Sequence, residues 1–459
     1  MADAKRYASK EDLARLGVPT DWTNPLVFVF KMVSDNGANI KAAWNDGSRW
    51  VPCVDHTLEL CTLPVTWMQK RSDGSETIPS GSVAEAYAHG RGIVGYLHLS
   101  VNALDDFHRC QKACGIRETQ IDQDVKTRWR TAHSMGSQLV HNKPAVMEMD
   151  KNPSYQNPGE TWGKNKISMM MWDYLEEGSA ILDDSAWASQ FLEGDKYPTS
   201  SLVIPMMYKL MATSSSNHQV KFANRDEDQF NDDEANPVKV DHDQLSNKIQ
   251  TAREGLHKQL VDRFDTNVAR DVKQFWFIAA ICDPRFKKLQ FKHDRMLSDM
   301  MRTRAVQWFT TVFNQKYKGK FNKEAAAAGD TPGGSGAAVT RPQHVKRRKT
   351  SAAGFFADSD EDGEAEEVEE GAPVDELAEY LALPQIKYKT EEDALTWWRQ
   401  HEAEFPNVAV MARQYLGCPA SSASVERLFS QVGIAFAAKR KSAEASTLGD
   451  IAFAHANLP

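Results

Sequence analysis

The stretch Cys418–Gly433, "CPASSASVERLFSQVG", runs small hydroxyl residues straight into a glutamate, an arginine and an apolar repeat. Ser421 or Ser422 suits a helix N-cap, because a short side-chain oxygen accepts from the open amides of a first turn. Beyond it Val425, Leu428, Phe429 and Val432 follow the i, i+3, i+4, i+7 spacing of a helix face meant for burial. Glu426 lies beside that stripe and shares a face with Ser430. A solvated surface glutamate is the plain reading. Its surroundings decide whether it carries chemistry.

The flanking segments are helical as well. Thr390 with Asp393 predicts a capping box ahead of Ala394, Trp397 and Trp398. Asn407 predicts a cap for a helix that buries Val408, Met411, Ala412 and Tyr415 and stops at Gly417. Thr447 and Asp450 repeat the pattern before Ile451, Ala454 and Leu458. Residues 372–459 therefore read as one compact helical region. Trp397 and Trp398 share a stripe with Ala394, the pattern of core residues.

Upstream, residues 320–371 are Ala/Gly/Ser-rich, then basic, then acidic. Such a composition buries too little apolar surface to offset its ordering entropy, so a disordered linker is expected. "VKRRK" (Val345–Lys349) is the accessible cationic cluster that nuclear import needs, and Asp358–Glu370 holds nine acids and no base. Ser359, followed by Asp360, Glu361 and Asp362, suits an acid-directed kinase, whose phosphate would deepen that negative block. Residues 216–319 open as a polar, acidic loop and continue as a long helix, with Leu245, Ile249, Leu256, Leu260 and Phe264 near helical spacing. Residues 1–215 read as mixed α/β. There "PLVFVFKMV" (Pro25–Val33) predicts a buried strand stopped by the turn-forming "SDNG".

At 459 residues and 41% hydrophobic content the chain can bury a real core, and it has room for two or three domains. A formal net charge of −8 excludes a uniformly basic nucleic-acid coat but not a local basic face. Six scattered cysteines fit a reducing compartment better than a disulfide framework. No leader pattern and no apolar run near the roughly 20 residues of a membrane span are visible. A soluble protein of the nucleus, with no membrane partner, is expected.

"PASSASVERLFSQVG", preceded by "DALTWWRQHEAEFPNVAVMARQYLGC" and followed by "KRKSAEASTLGDIAFAHANL", closely resembles the C-terminal dimerisation region of hAT-superfamily transposases. The resemblance implies that Glu426 stands where the family keeps the third acid of its catalytic triad. "VSDNGANIKAAW" resembles the segment of the second catalytic aspartate, which assigns Asp35 that role. "WVPCVDHTLEL" resembles the family's Cys-x-x-His element, here Cys53 and His56, and "DVKTRWRTAHSM" its Arg-Trp element, here Arg128 and Trp129. "EGDKYPTSSLVIPMMYKL" and "IAAICDPRFKKLQF" resemble two further segments. The fold implied is mixed α/β. An incomplete ribonuclease-H-like core and the start of a helical insertion take 1–215, the insertion takes 216–319, and the linker and the dimerisation region follow.

Such a triad serves two Mg²⁺ ions roughly 3.5 to 4 Å apart, which activate the attacking oxygen and stabilise the leaving one. Asp35 and Glu426 are the metal ligands implied, with Mg²⁺ relevant only if a first aspartate completes the set. The family's first acid lies well before the second, usually as Asp-x-Trp followed by Thr or Ser. "TDWTNP" puts Asp21 directly against Trp22, and too few residues separate it from Asp35 to form the strands between, so Asp21 reads as loop. No paired Cys and His upstream match the family's BED-type finger.

Cys53 and His56 are half of a zinc motif that Cys61, Cys110 and Cys114 do not complete. His56 is read instead as a neighbour of the acidic centre. Trp129 between Arg128 and Arg130 suits either stacking on a base or anchoring a helix start. The leading expectation is a transposon-derived protein that forms a homodimer or higher oligomer through stripes containing Trp398, Tyr415, Phe429 and Ile451. It has possible DNA binding and no strand transfer. A fragment of an active transposase and a domesticated nuclear DNA-binding regulator are the alternatives.

Overall fold

The computed structural model describes residues 30–35, 37, 50–66, 69–70, 76–125, 129–222, 238–291, 293–319, 375–387 and 393–435. In chain order the first elements are β1 (Met32–Ser34), β2 (Trp50–Pro52), α1 (Val54–Thr66), β3 (Gln69–Lys70), β4 (Glu76–Thr77), α2 (Val83–Leu99) and α3 (Val101–Ala113). Then come α4 (Trp129–His141), α5 (Lys143–Met149), α6 (Thr161–Lys164), α7 (Met169–Leu192) and α8 (Val203–Ser214). The strands β5 (Val220–Phe222) and β6 (Val238–Val240) precede α9 (Asn247–Val261), α10 (Arg270–Cys282) and α11 (Asp299–Lys316). The last helices are α12 (Glu376–Ala382), α13 (Ala394–His401), α14 (Pro406–Leu416) and α15 (Ala423–Ala435).

The described residues are mostly helical, and their strands form only two-stranded sheets: β1–β2, β3–β4 and β5–β6. The mixed α/β reading of residues 1–215 is met by these short strands alone, and from Val54 onward the described residues are predominantly helix. Of the strand expected over Pro25–Val33, the described part is strand only from Met32, and it is half-buried until Ser34. Apolar runs such as "AWASQFL" belong to long helices instead, because Ser168 caps α7 by accepting from the Met171 amide at 3.3 Å. The linker 320–371, the loop Asp21 and the helix expected after Thr447, with Ile451, lie outside the described residues.

The chain divides into two compact units. One comprises Met1–Val51, Gly194–Lys209 and Ala269–Pro459, and the other Pro52–Glu193 and Leu210–Val268. In the second unit α7 packs on α4, α2 and α1, α9 packs on α1, and α3 packs on α5. Gly136 of α4 is required there: a Cβ would fall 2.8 Å from the Tyr87 ring and 3.0 Å from the Ser179 hydroxyl. The stripe expected on α9 is present, with Ile249, Leu256 and Leu260 buried and Leu245 and Phe264 closing its ends.

In the first unit α10 is the hub, buried from Phe275 to Cys282, with the short turn Ser200–Leu202, α11 and α14 against it. Tyr415 of α14 stacks on Phe275 at 5.3 Å, and Phe30 meets Tyr415 edge-on at 4.9 Å. The segment after α10, "DPRFK", is a tight connector. Buried Asp283 accepts from the Ser201 hydroxyl at 2.7 Å and from the Arg285 guanidinium at 2.9 and 2.7 Å. The helix α12 docks on it through three bonds: Tyr380 Oη to Ile281 O at 2.7 Å, Lys287 Nζ to Tyr380 O at 2.8 Å, and Ile386 N to Pro284 O at 3.1 Å.

Two caps differ from expectation. Asp393 is itself the N-cap of α13, accepting from Thr396 N at 2.6 Å, rather than the third helical residue after Thr390. The helix α14 starts two residues earlier than expected, with Pro406 at its first position, where no amide is needed. Asn407 is therefore inside the helix, and its amide donates to Glu376 of α12 at 2.7 Å. The same carboxylate accepts from Val408 N at 2.8 Å, so a residue of a different helix caps α14.

Candidate functional site

Asp35 follows β1. Its strand is held by Trp50, whose indole donates to the Ser34 hydroxyl at 2.9 Å. The Asp35 carboxylate is exposed and accepts from Gly37 N at 3.2 Å, an Asx turn that a short side chain favours. Glu426 stands in the first turn of α15, also exposed, and accepts from the Ser422 hydroxyl at 3.0 Å. Ser422 also contributes the first helical carbonyl, bonded by Val425 N and Glu426 N. Beside Glu426, Arg427 reaches Asp195 at 3.0 Å.

Both carboxylates belong to the first unit, and their carriers leave from one packed point. Phe30 and Lys31, just before β1, lie against Tyr415, Phe275 and Cys418. Burial pushes the Cys418 thiol up to about 12 against the opposing pull of the Lys31 ammonium, which marks how close that lysine lies. Two exposed carboxylates with neutral donors do not form a two-ion clamp. Among the described residues no three His, Cys, Asp or Glu converge on a metal position. Among the described residues, then, Asp35 and Glu426 are not joined by a further acid in a set that fits a pair of Mg²⁺ ions.

The other sequence-based candidates lie in the second unit or outside the description. His56 is half-exposed on α1 and pairs with Glu59 of the same helix at 3.2 Å. Cys53 is buried at the start of that helix. Arg128 lies outside the described residues. Trp129 is the first residue of α4 and only 2% exposed, which leaves its ring no free face for a base and makes it a helix anchor. Its indole nitrogen is buried with no acceptor. Arg130 is directed at Glu193, the residue that follows α7, at 3.1 Å.

That ion pair belongs to a cluster the sequence did not disclose. The Ser189 hydroxyl donates to Asp55, and it also lies 3.4 Å from Glu193. A hydroxyl has one proton to give, so it cannot satisfy both carboxylates when both are ionised. Burial pushes the Asp55 carboxyl up to about 6; Glu193 adds to the rise, while the Ser189 bond and Arg130 oppose it. Once protonated, Asp55 can donate to Ser189 and free that hydroxyl for Glu193. The only sequence clue was two acids and a histidine within "VDHTLE", which also fits a solvated helix face.

Trp398 and Tyr415, expected in the dimer contact, are both buried within a single chain. The Trp398 indole donates to Cys282 O at 2.8 Å, and Tyr415 O accepts from Ser200 at 2.8 Å. Phe429 lies within α15. The expected burial of its stripe is not complete, since Val425 is 51% exposed.

A family model for the hAT family C-terminal dimerisation region matches residues 376–458. The chain is also 23% identical over 403 residues to zinc finger BED domain-containing protein 4 of Homo sapiens, a likeness that covers 86% of this chain and 28% of that protein. The match begins at the first residue of α12 and includes the helix that bears Glu426, so residues 376–458 are similar to the hAT family C-terminal dimerisation region.

Proposed function

We propose that this chain is a transposon-derived hAT protein that pairs with a second copy through its C-terminal region and holds DNA in the nucleus without cutting it. The observation that carries the pairing is the state of α15. Within a region matching a dimerisation family, an apolar-striped helix leaves Val425 half in solvent, and its neighbours from Ala423 to Leu428 are exposed or only half-covered. A second chain covering that face removes apolar area from water. Phe429 and Ile451 are assigned to the same contact, while Trp398 and Tyr415 act from inside by holding the helices that present it. Retention of DNA without scission is supported by the exposed state of Asp35 and Glu426, which no third acid joins among the described residues.

DNA contact is supported by the basic residues around Trp129 and by the likeness to a protein named for its BED zinc finger. Nuclear residence is supported by "VKRRK". Sedimentation equilibrium of the full chain at micromolar concentration should give a dimer or larger species, and Val425→Glu should shift it toward monomer with an unchanged circular dichroism spectrum. A monomeric wild type would refute the pairing. Nicking of a hairpin oligonucleotide on addition of Mg²⁺, abolished by Asp35→Asn, would refute the absence of cutting and favour an active transposase.

A further inference from the structure

The first unit carries a basic surface that nothing above assigns. From Lys287 to Lys318 the sequence holds eight Lys and Arg against two Asp, in a chain of net charge −8. Two of those cations are used internally. Lys287 is buried against Tyr380, and Arg302 donates to Leu289 O and lies 3.9 Å from Asp299. Lys288, Arg295 and Arg304 are exposed. The fold brings their backbones together, because the Arg302 bond ties the loop to the first turns of α11, and Arg295 precedes the α11 cap, Ser298, by three residues.

The loop is also held in an unusual shape. Among the described residues the non-glycine positions with positive φ are Leu289 at 55° and His293 at 69°, both in this loop. A left-handed leucine costs roughly 1–2 kcal/mol, so it persists only where neighbours over-determine it. Here they do. Leu289 N donates to Phe286 O at 2.7 Å, and Gln385 grips both sides, accepting from Lys288 N at 3.1 Å and donating to Gln290 O at 2.6 Å. A strained loop that is fastened from three directions and presents exposed cations suits a ligand whose charges are themselves regularly placed. The duplex backbone offers one negative charge per roughly 1.7 Å of axis.

We infer that Lys288 and Arg295, on the loop before α11, with Arg304 in its first turns, contact the phosphate backbone of duplex nucleic acid. The inference rests on the DNA-binding reading above and gives it residues other than Arg128 and Arg130. Backbone contacts position a protein without reading sequence, so the surface should bind unrelated duplexes alike.

The test is fluorescence anisotropy of the full chain with a random-sequence duplex across a KCl series. Lys288→Glu, Arg295→Glu and Arg304→Glu together should weaken binding at least tenfold at low salt and make the slope of log K against log[salt] shallower by about 2 to 3. The glutamine triple should show a smaller loss in the same direction, with an unchanged melting curve, which separates charge from misfolding. If the wild type binds no duplex, the DNA-binding reading itself fails. If it binds and both triple variants match it in affinity and slope, that reading stands and this surface is overturned. Binding of a synthetic 358–370 peptide but not of duplex would overturn it in favour of the chain's own acidic run.

Discussion

At the scale of single residues, Asp55 shows how burial turns a routine side chain into a sensor. Its folded carboxyl holds its proton more tightly than an unfolded one, with the ordinary value of 3.8 raised to about 6. The folded state therefore binds more protons between those values, and stability falls as pH rises through that window. Above pH 6 the penalty is fully present; below about 4 it is gone. Asp55→Asn keeps an acceptor for Ser189 and removes the charge, so it should raise stability at pH 7.5 by on the order of 2 kcal/mol. Thermal melts at pH 7.5 and 4.0 check this: the gain should be largest at the higher pH and vanish at the lower. An equal gain at both would mean that the carboxyl is not the source. None of this was legible beforehand, because Ser189 is 134 positions away and only the fold makes it a partner.

At the scale of elements, what could be read in advance depended on how local the cause was. The stripe on α9 and the buried tryptophans of α13 follow from spacing alone, and they are present. The start of α14 could not be read, because its cap is Glu376, 31 residues upstream on another helix. Sequence reasoning looked for a side chain in the same helix and settled on Asn407. Glu376→Ala should leave two donors of that helix unpaired and cost about 1 to 2 kcal/mol, seen as a lower urea midpoint with an unchanged m-value. An unshifted midpoint would show that water replaces the carboxylate without loss. Short strands were the least legible elements. A three-residue strand such as β1 has no periodicity of its own, and its position is set by Trp50 and by Phe30 against Tyr415. Asp35 and Glu426 were legible as residues through resemblance, whereas the exposure of both is a property of the fold.

For the whole molecule, the division into units matters more than the order of segments along the chain. The first unit is assembled from three stretches, and its centre, α10, with the connector after it, receives residues from far upstream and far downstream. Asp283, Tyr380 and Trp398 show the same economy, each satisfying a group that its own segment leaves open. No helix among the described residues is long and apolar enough to cross a membrane.

The docking of α12 on "DPRFK" has a practical corollary for anyone who clones this gene in pieces. A fragment cut at Gly371 leaves behind the carbonyls that Tyr380 and Trp398 bond, and it strips the cover from two large aromatic side chains. Such a fragment should be sticky, and its oligomers on a sizing column would reflect torn packing as much as a genuine dimer seam. A fragment started at Ala269 restores those carbonyls and should associate less, although the turn Ser200–Leu202 that packs on α10 is still absent from it. The comparison of those two fragments by light scattering measures how much apparent self-association is an artefact of the knife.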